Sequence, residues 1–228
     1  MTEEKDYIGH RQRIKERFLL GQGKDMADYE FLELLLTYAI PRKDTKPIAK
    51  ALIKQFGSFA KVIFANKEAL MSFPGVKENS IILFDVIREA AIRMTWQNLS
   101  SGDQPVITTW DSLLDYCHMK MANKKREEMV LLMLDAKCRI IAEEVQQRGS
   151  TSGVAVHPAE VVRSALAYGA ACVIMVHNHP SGSLKPSGDD ERVTMQVKNA
   201  LEAVGIKLQD HLIICESGYY SFKEHKLI

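Results

Sequence analysis

The chain has 228 residues, of which 46% are hydrophobic and 26% charged, a composition of globular proteins and enough length for one large domain or two ordinary ones. Thirty Lys and Arg against 29 Asp and Glu leave a net charge of +1, so no global field draws the protein to nucleic acid or to an acidic membrane, and any such contact must be local. The start, MTEEKDYIGHRQR, has no apolar signal region, and no apolar run approaches the ~18 residues of a membrane span, so the expected location is cytoplasmic, with no membrane partner.

Residues 1–97 read as successive short helices. Tyr29, Leu32, Leu35, Leu36 and Ala39 recur at helical spacing until Pro41 stops the run. Pro47 opens a second helix, with Ile48, Ala51, Leu52 and Phe56 on one face and Gly57 at its end. A short helix at Lys67 to Met71 leads to a Pro74-Gly75 turn, and Ile81 to Met94 forms the last helix of this all-helical part. The polar stretch NLSSGDQP, residues 98–105, reads as a linker.

Beyond it, residues 106–228 change character. Trp110 to Met121 is helical, and the apolar run Met129 to Leu134 pairs with Ile140 to Arg148 as a strand hairpin across Ala136-Lys137. A helix starts at His157-Pro158, and ACVIMV is a buried strand running into His177. A helix from Ser187 to Val204, closed by Gly205, precedes a strand at Leu212 to Cys215. The fold class is α/β overall: a helical amino-terminal domain followed by a mixed sheet flanked by helices.

Chemistry concentrates in VHNHPSGSLKPSGDD. His177 and His179, two residues apart where a strand ends, project to one face, and two neutral imidazoles so fixed can bind a divalent metal. Asp190, eleven residues after His179, can return from the next helix as a third ligand and leave a fourth position for water. Ser187 three residues before Asp190 also makes a helix capping box, which by itself implies no metal. His157 and His211 read as structural histidines, with support of the ligands as the alternative. Cys117, Cys138, Cys172 and Cys215 stand far apart with no CxxC pair, so they read as small apolar residues.

His-x-His, ten intervening residues and Asp, with Ser three before the Asp, resembles the JAB/MPN (JAMM) metalloprotease pattern, and HNHPSG followed by KPSGDD resembles its bacterial RadC branch. DYEFLELLLTYAIPRKDTKPIAKALIKQFGS is similar to the helical segment of RadC proteins, so the resemblance covers nearly the whole chain. It implies one Zn2+ per chain on His177, His179 and Asp190, and a hydrolase acting on an amide bond of a peptide or protein substrate. The resemblance also implies a general base at the head of an early strand, with Glu128 the first candidate and Glu127 its neighbour. Ser187 becomes the candidate oxyanion donor.

ALMSFPGVKENSIILF resembles a helix-hairpin-helix DNA-binding hairpin, with Lys77 where the second glycine of that turn stands. Gly75 and Lys77 are therefore candidate contacts for DNA bound without sequence preference, a link to repair or recombination that forms the alternative function. The tract with Arg11, Arg13, Lys15 and Arg17 reads as a solvated helix face. Oligomeric state is not legible from the sequence.

Overall fold

The computed structural model describes residues 3–100, 110–148 and 156–228. Contacts divide the chain into two compact units, Met1–Ala91 and Ile92–Ile228. Among the described residues, no helix is long and apolar enough to cross a membrane.

The first unit is helical: α1 (Glu3–Gly21), α2 (Asp28–Ala39), α3 (Lys46–Phe56), α4 (Phe59–Phe64), α5 (Lys67–Met71) and the start of α6 (Glu78–Ser100). Its core gathers Leu32 and Leu36 of α2, Leu52 of α3, Val62 of α4, Leu70 of α5 and Phe84 of α6. Pro47 lies in the first turn of α3, where its missing N–H has no helical partner to lose, and Gly57 closes that helix at φ +96°. The last helix runs past Met94 to Ser100, so residues 98–100 of the expected linker are helical, and residues 101–105 lie outside those described.

The basic tract on α1 ties helices together. Arg11 donates to the carbonyls of Ile40 (2.6 Å), Pro41 (2.8 Å) and Lys43 (2.5 Å), satisfying acceptors just past the end of α2. Arg17 pairs with Glu30 at 2.6 Å and donates to the Asp25 carbonyl at 2.7 Å, and His10 meets the buried Glu33 at 2.5 Å. Arg11 and Arg17 are thus tied to neighbouring segments, while Arg13 and Arg17 remain exposed, as the sequence suggested.

The second unit holds α7 (Trp110–Met121), β1 (Glu128–Leu134), β2 (Ile140–Arg148), α8 (Pro158–Ala167), β3 (Cys172–Asn178), α9 (Gly188–Glu202), β4 (Lys207–Cys215) and β5 (Gly218–Ser221). The sheet order is β2-β1-β3-β4-β5, with β3 and β4 parallel and the other pairs antiparallel. Two apolar layers enclose it. Val130, Leu132, Ile174 and Val176 pack with Leu113 and Tyr116 of α7, while Met129, Leu131, Val173 and Met175 pack with Val161 of α8 and Val197 of α9. Every residue of β3 is buried, as expected of a central strand covered on both faces. β4 starts earlier than its expected Leu212, and β5 adds an antiparallel edge the sequence did not reveal.

The PG turn before α6 explains its own glycine. Gly75 has φ +91°, and a Cβ there would stand 2.7 Å from Ile48 Cδ1, so a side chain is strained and also collides with α3. Gly75→Ala is expected to lower the stability of this unit by roughly 1–2 kcal/mol, the usual left-handed penalty, read as a shifted urea midpoint. An unchanged midpoint removes this account of the turn.

Candidate metal centre

β3 delivers His177 at its buried end, 2% exposed, and the chain continues extended so that His179 donates its backbone N–H to Ile214 O of β4 at 3.1 Å. Alternation then sends both imidazoles to the face covered by α9. Their Nε2 atoms lie 2.9 Å apart. The Pro180-Ser181-Gly182 turn brings the Ser183 carbonyl to His179 Nδ1 at 2.7 Å. A carbonyl only accepts, so His179 carries its hydrogen on Nδ1 and presents Nε2 to His177.

Asp190 completes the cluster from the first turn of α9. Its Oδ1 is 3.3 Å from His177 Nε2 and its Oδ2 is 3.4 Å from His179 Nε2. The capping box is present as well: Ser187 Oγ accepts from Asp190 N at 3.1 Å, and Asp190 Oδ2 accepts from Ser187 N at 2.7 Å. Cap and cluster are therefore one structure, because the cap aims the carboxylate. Ser187 Oγ, the candidate oxyanion donor, bonds Asp190 Oδ2 at 2.7 Å here and so also positions that carboxylate.

Electrostatics follow the same geometry. The hydrogen bond to Asp190 raises the His179 imidazole above its ordinary value against the opposing effect of burial. Burial pushes the Asp190 carboxyl upward, but its interactions with His177 and His179 and the hydrogen bond from Ser187 outweigh it and hold the group well below the carboxylate range. The N-terminus of α9 favours the same anion. His211, fully buried on β4, is driven far below the usual imidazole value by that burial, so it is neutral.

The order of the two glutamates differs from the first expectation. Met129 of β1 stands opposite His177, so odd-numbered residues at this end of β1 face the histidines and even-numbered ones face α7. Glu127 sends Oε1 to 3.6 Å from His179 Nε2, and Glu127, His177 and His179 offer ligand atoms all within 4.8 Å of one another. Glu128 points to the other face, where it pairs with Lys124. Glu127 therefore replaces Glu128 as the acid beside the cluster.

Asn178, a residue the sequence did not single out, fixes that phase. Buried between the two histidines, it accepts the Glu128 N–H at 2.9 Å and donates to the carbonyls of Arg126 (3.1 Å) and Lys124 (3.3 Å). Thr194 and His211 add a chain behind His177: His177 Nδ1 to His211 Nε2 at 2.8 Å, His211 Nδ1 to Thr194 Oγ1 at 2.6 Å, and Thr194 Oγ1 to the Asp190 carbonyl at 2.5 Å. Of the remaining candidates, His157 is exposed at the start of α8, and Lys77 is exposed before α6 in the other unit.

The donor set fits a zinc ion. Imidazole nitrogens and carboxylate oxygens are donors zinc takes; the two Nε2 atoms stand 2.9 Å apart, Asp190 turns one oxygen to each of them at 3.3 and 3.4 Å, and Glu127 brings a second carboxylate within 4.8 Å of both. Three such donors also leave one corner for solvent.

A mixed sheet with a paired-histidine and carboxylate centre at the end of its central strand defines a JAB-type α/β domain. The family profile described as RadC-like JAB domain matches residues 107–227. A UPF0758 protein of Ruegeria pomeroyi is 42% identical over 94% of this chain and 95% of its own length, and a UPF0758 protein of Rhodobacter capsulatus is 42% identical over 94% of this chain and 100% of its own. The chain belongs to the RadC family.

Asn178→Ala leaves the Glu128 N–H and two carbonyls without their side-chain partner, and is expected to cost about 1–3 kcal/mol in chemical unfolding. Unchanged stability shows that the amide does not hold the start of β1.

Proposed function

We propose that this protein is a zinc-dependent hydrolase of amide bonds, a metallopeptidase or isopeptidase acting on a peptide or protein. The observation that carries this reading is the convergence of His177, His179 and Asp190 with Glu127 alongside. Zinc bound there supplies a Lewis acid that lowers the pKa of a water and polarises a carbonyl. The protein's own groups do the rest. His177, His179 and Asp190 hold the ion, and Asp190 brings one negative charge against its two. Glu127, 3.6 Å from His179 Nε2, takes the proton of the attacking water and returns it to the departing amine. The pairing of Glu128 with Lys124 on the far face leaves it no part in this transfer.

Purified protein is expected to carry about one zinc per chain by elemental analysis, with His179→Ala and Asp190→Ala losing most of it. Retention of full metal by both variants ends the site assignment. Glu127→Gln is expected to keep zinc while hydrolysis of a peptide library falls by about 10²–10⁴-fold, and Glu128→Gln to remain near the parent. Loss of zinc in Glu127→Gln makes that residue a ligand instead, and equal activity in both glutamine variants removes the base.

Nucleic acid is a second reading, favoured by the exposure of Lys77 at the start of α6. Gly75 adds nothing to it, since Ile48 already explains that glycine. Duplex DNA binding at low salt should weaken in Lys77→Glu, with a salt dependence shallower by about one counterion. Binding identical in parent and variant sets this reading aside.

A further inference from the structure

The metal-ligating nitrogen of a histidine must carry no hydrogen, and which nitrogen that is depends on the bond made by the other. For His179 the Ser183 carbonyl decides it. Among the described residues, no carbonyl bonds His177 Nδ1. Its Nδ1 faces another imidazole, His211 Nε2, at 2.8 Å, and two neutral imidazoles can share one hydrogen in either direction. In one direction His177 offers a lone pair at Nε2. In the other it carries a hydrogen there, pointed into the cluster.

We propose that Thr194 and His211 form a one-way hydrogen-bond relay, anchored on the Asp190 backbone carbonyl, that fixes His177 in the Nδ1–H form and keeps its Nε2 free for the metal. The proposal rests on the zinc reading above for its purpose, but its direction is set by groups already described. The Asp190 carbonyl can only accept, so the 2.5 Å contact uses the Thr194 hydroxyl hydrogen. With that hydrogen committed, Thr194 Oγ1 can only accept at 2.6 Å from His211, whose hydrogen is therefore on Nδ1. With its hydrogen on Nδ1, His211 offers a lone pair at Nε2, which accepts from His177 Nδ1–H.

The surroundings hold the relay in place. His211 and Thr194 are both 0% exposed, so no water competes for their hydrogen bonds. Phe222 stacks on the His211 ring, with centroids 4.6 Å apart and planes at 20°, which restrains its rotation. The anchor belongs to Asp190, whose carboxylate faces both ligating imidazoles, so the first turn of α9 supplies one ligand and the tautomer of another. Thr194 and His211 are positioning residues: they act through His177.

The test reads the tautomer directly. In metal-free parent protein, nitrogen-15 correlation spectra of the imidazoles should show His177 with its hydrogen on Nδ1. A hydrogen on Nε2 overturns the relay without any variant. Thr194→Val removes the hydroxyl and is expected to shift His177 towards the Nε2–H form and to weaken zinc binding, measured by chelator competition, about 10–100-fold. Thr194→Ser should restore both. Parent-like tautomer and affinity in a folded Thr194→Val overturn the proposal. An Nδ1–H tautomer in a parent protein that binds no zinc upholds the relay and defeats the metal reading, so the two failures are distinguishable.

Discussion

The imidazoles of His177 and His179 meet across 2.9 Å, with the Asp190 carboxylate against both of them, and the surrounding structure exists to hold that crowding. Two nitrogen lone pairs cannot satisfy one another, so the arrangement is unfavourable unless a cation or a proton sits among them. The cost is met by rigidity. A strand buried along its whole length fixes one ring, a Pro-Ser-Gly turn tied to Ser183 fixes the other, and a helix cap fixes the carboxylate.

Several small devices serve two ends at once. The capping box of α9 stabilises a helix start, and the same hydrogen bonds orient Asp190 and keep it ionised. Asn178 satisfies the backbone entering β1, and in doing so sets which of two adjacent glutamates reaches the histidines. Such overlap follows from geometry: a site at the end of a sheet is made of the residues that also terminate the sheet's hydrogen bonds.

The helical unit uses its charge differently from what a count of basic residues suggests. Arg11 and Arg17 are held by carbonyls and a carboxylate of neighbouring segments, so these two side chains also join one helix to the next. The hairpin glycine is likewise accounted for by contact with α3. A basic tract and a PG turn are thus signals of helix packing here before they are signals of DNA.

Much of the fold was legible in the residues. Apolar periodicity and the Pro and Gly stops marked α2, α3 and α5, the β1–β2 hairpin and β3, because local preferences there agree with the tertiary packing. The spacing of His177, His179 and Asp190 was equally plain, since a period of two and one helical return determine it from sequence. The glutamate was not. EMVLLML is buried on both faces, so no polar alternation discloses its phase, and only the pairing of Met129 with His177 decides for Glu127. Which of its two readings His211 takes was undecided in the sequence for a related reason. The register of β4 against β3 shifts by one residue between Val173 and Ile174, and that irregularity turns His211 to the side of His177 instead of the side of α7. A bulge changes which face a side chain occupies while leaving the composition untouched, so the sequence marked the side chains that converge and the tertiary pairing chose their supports.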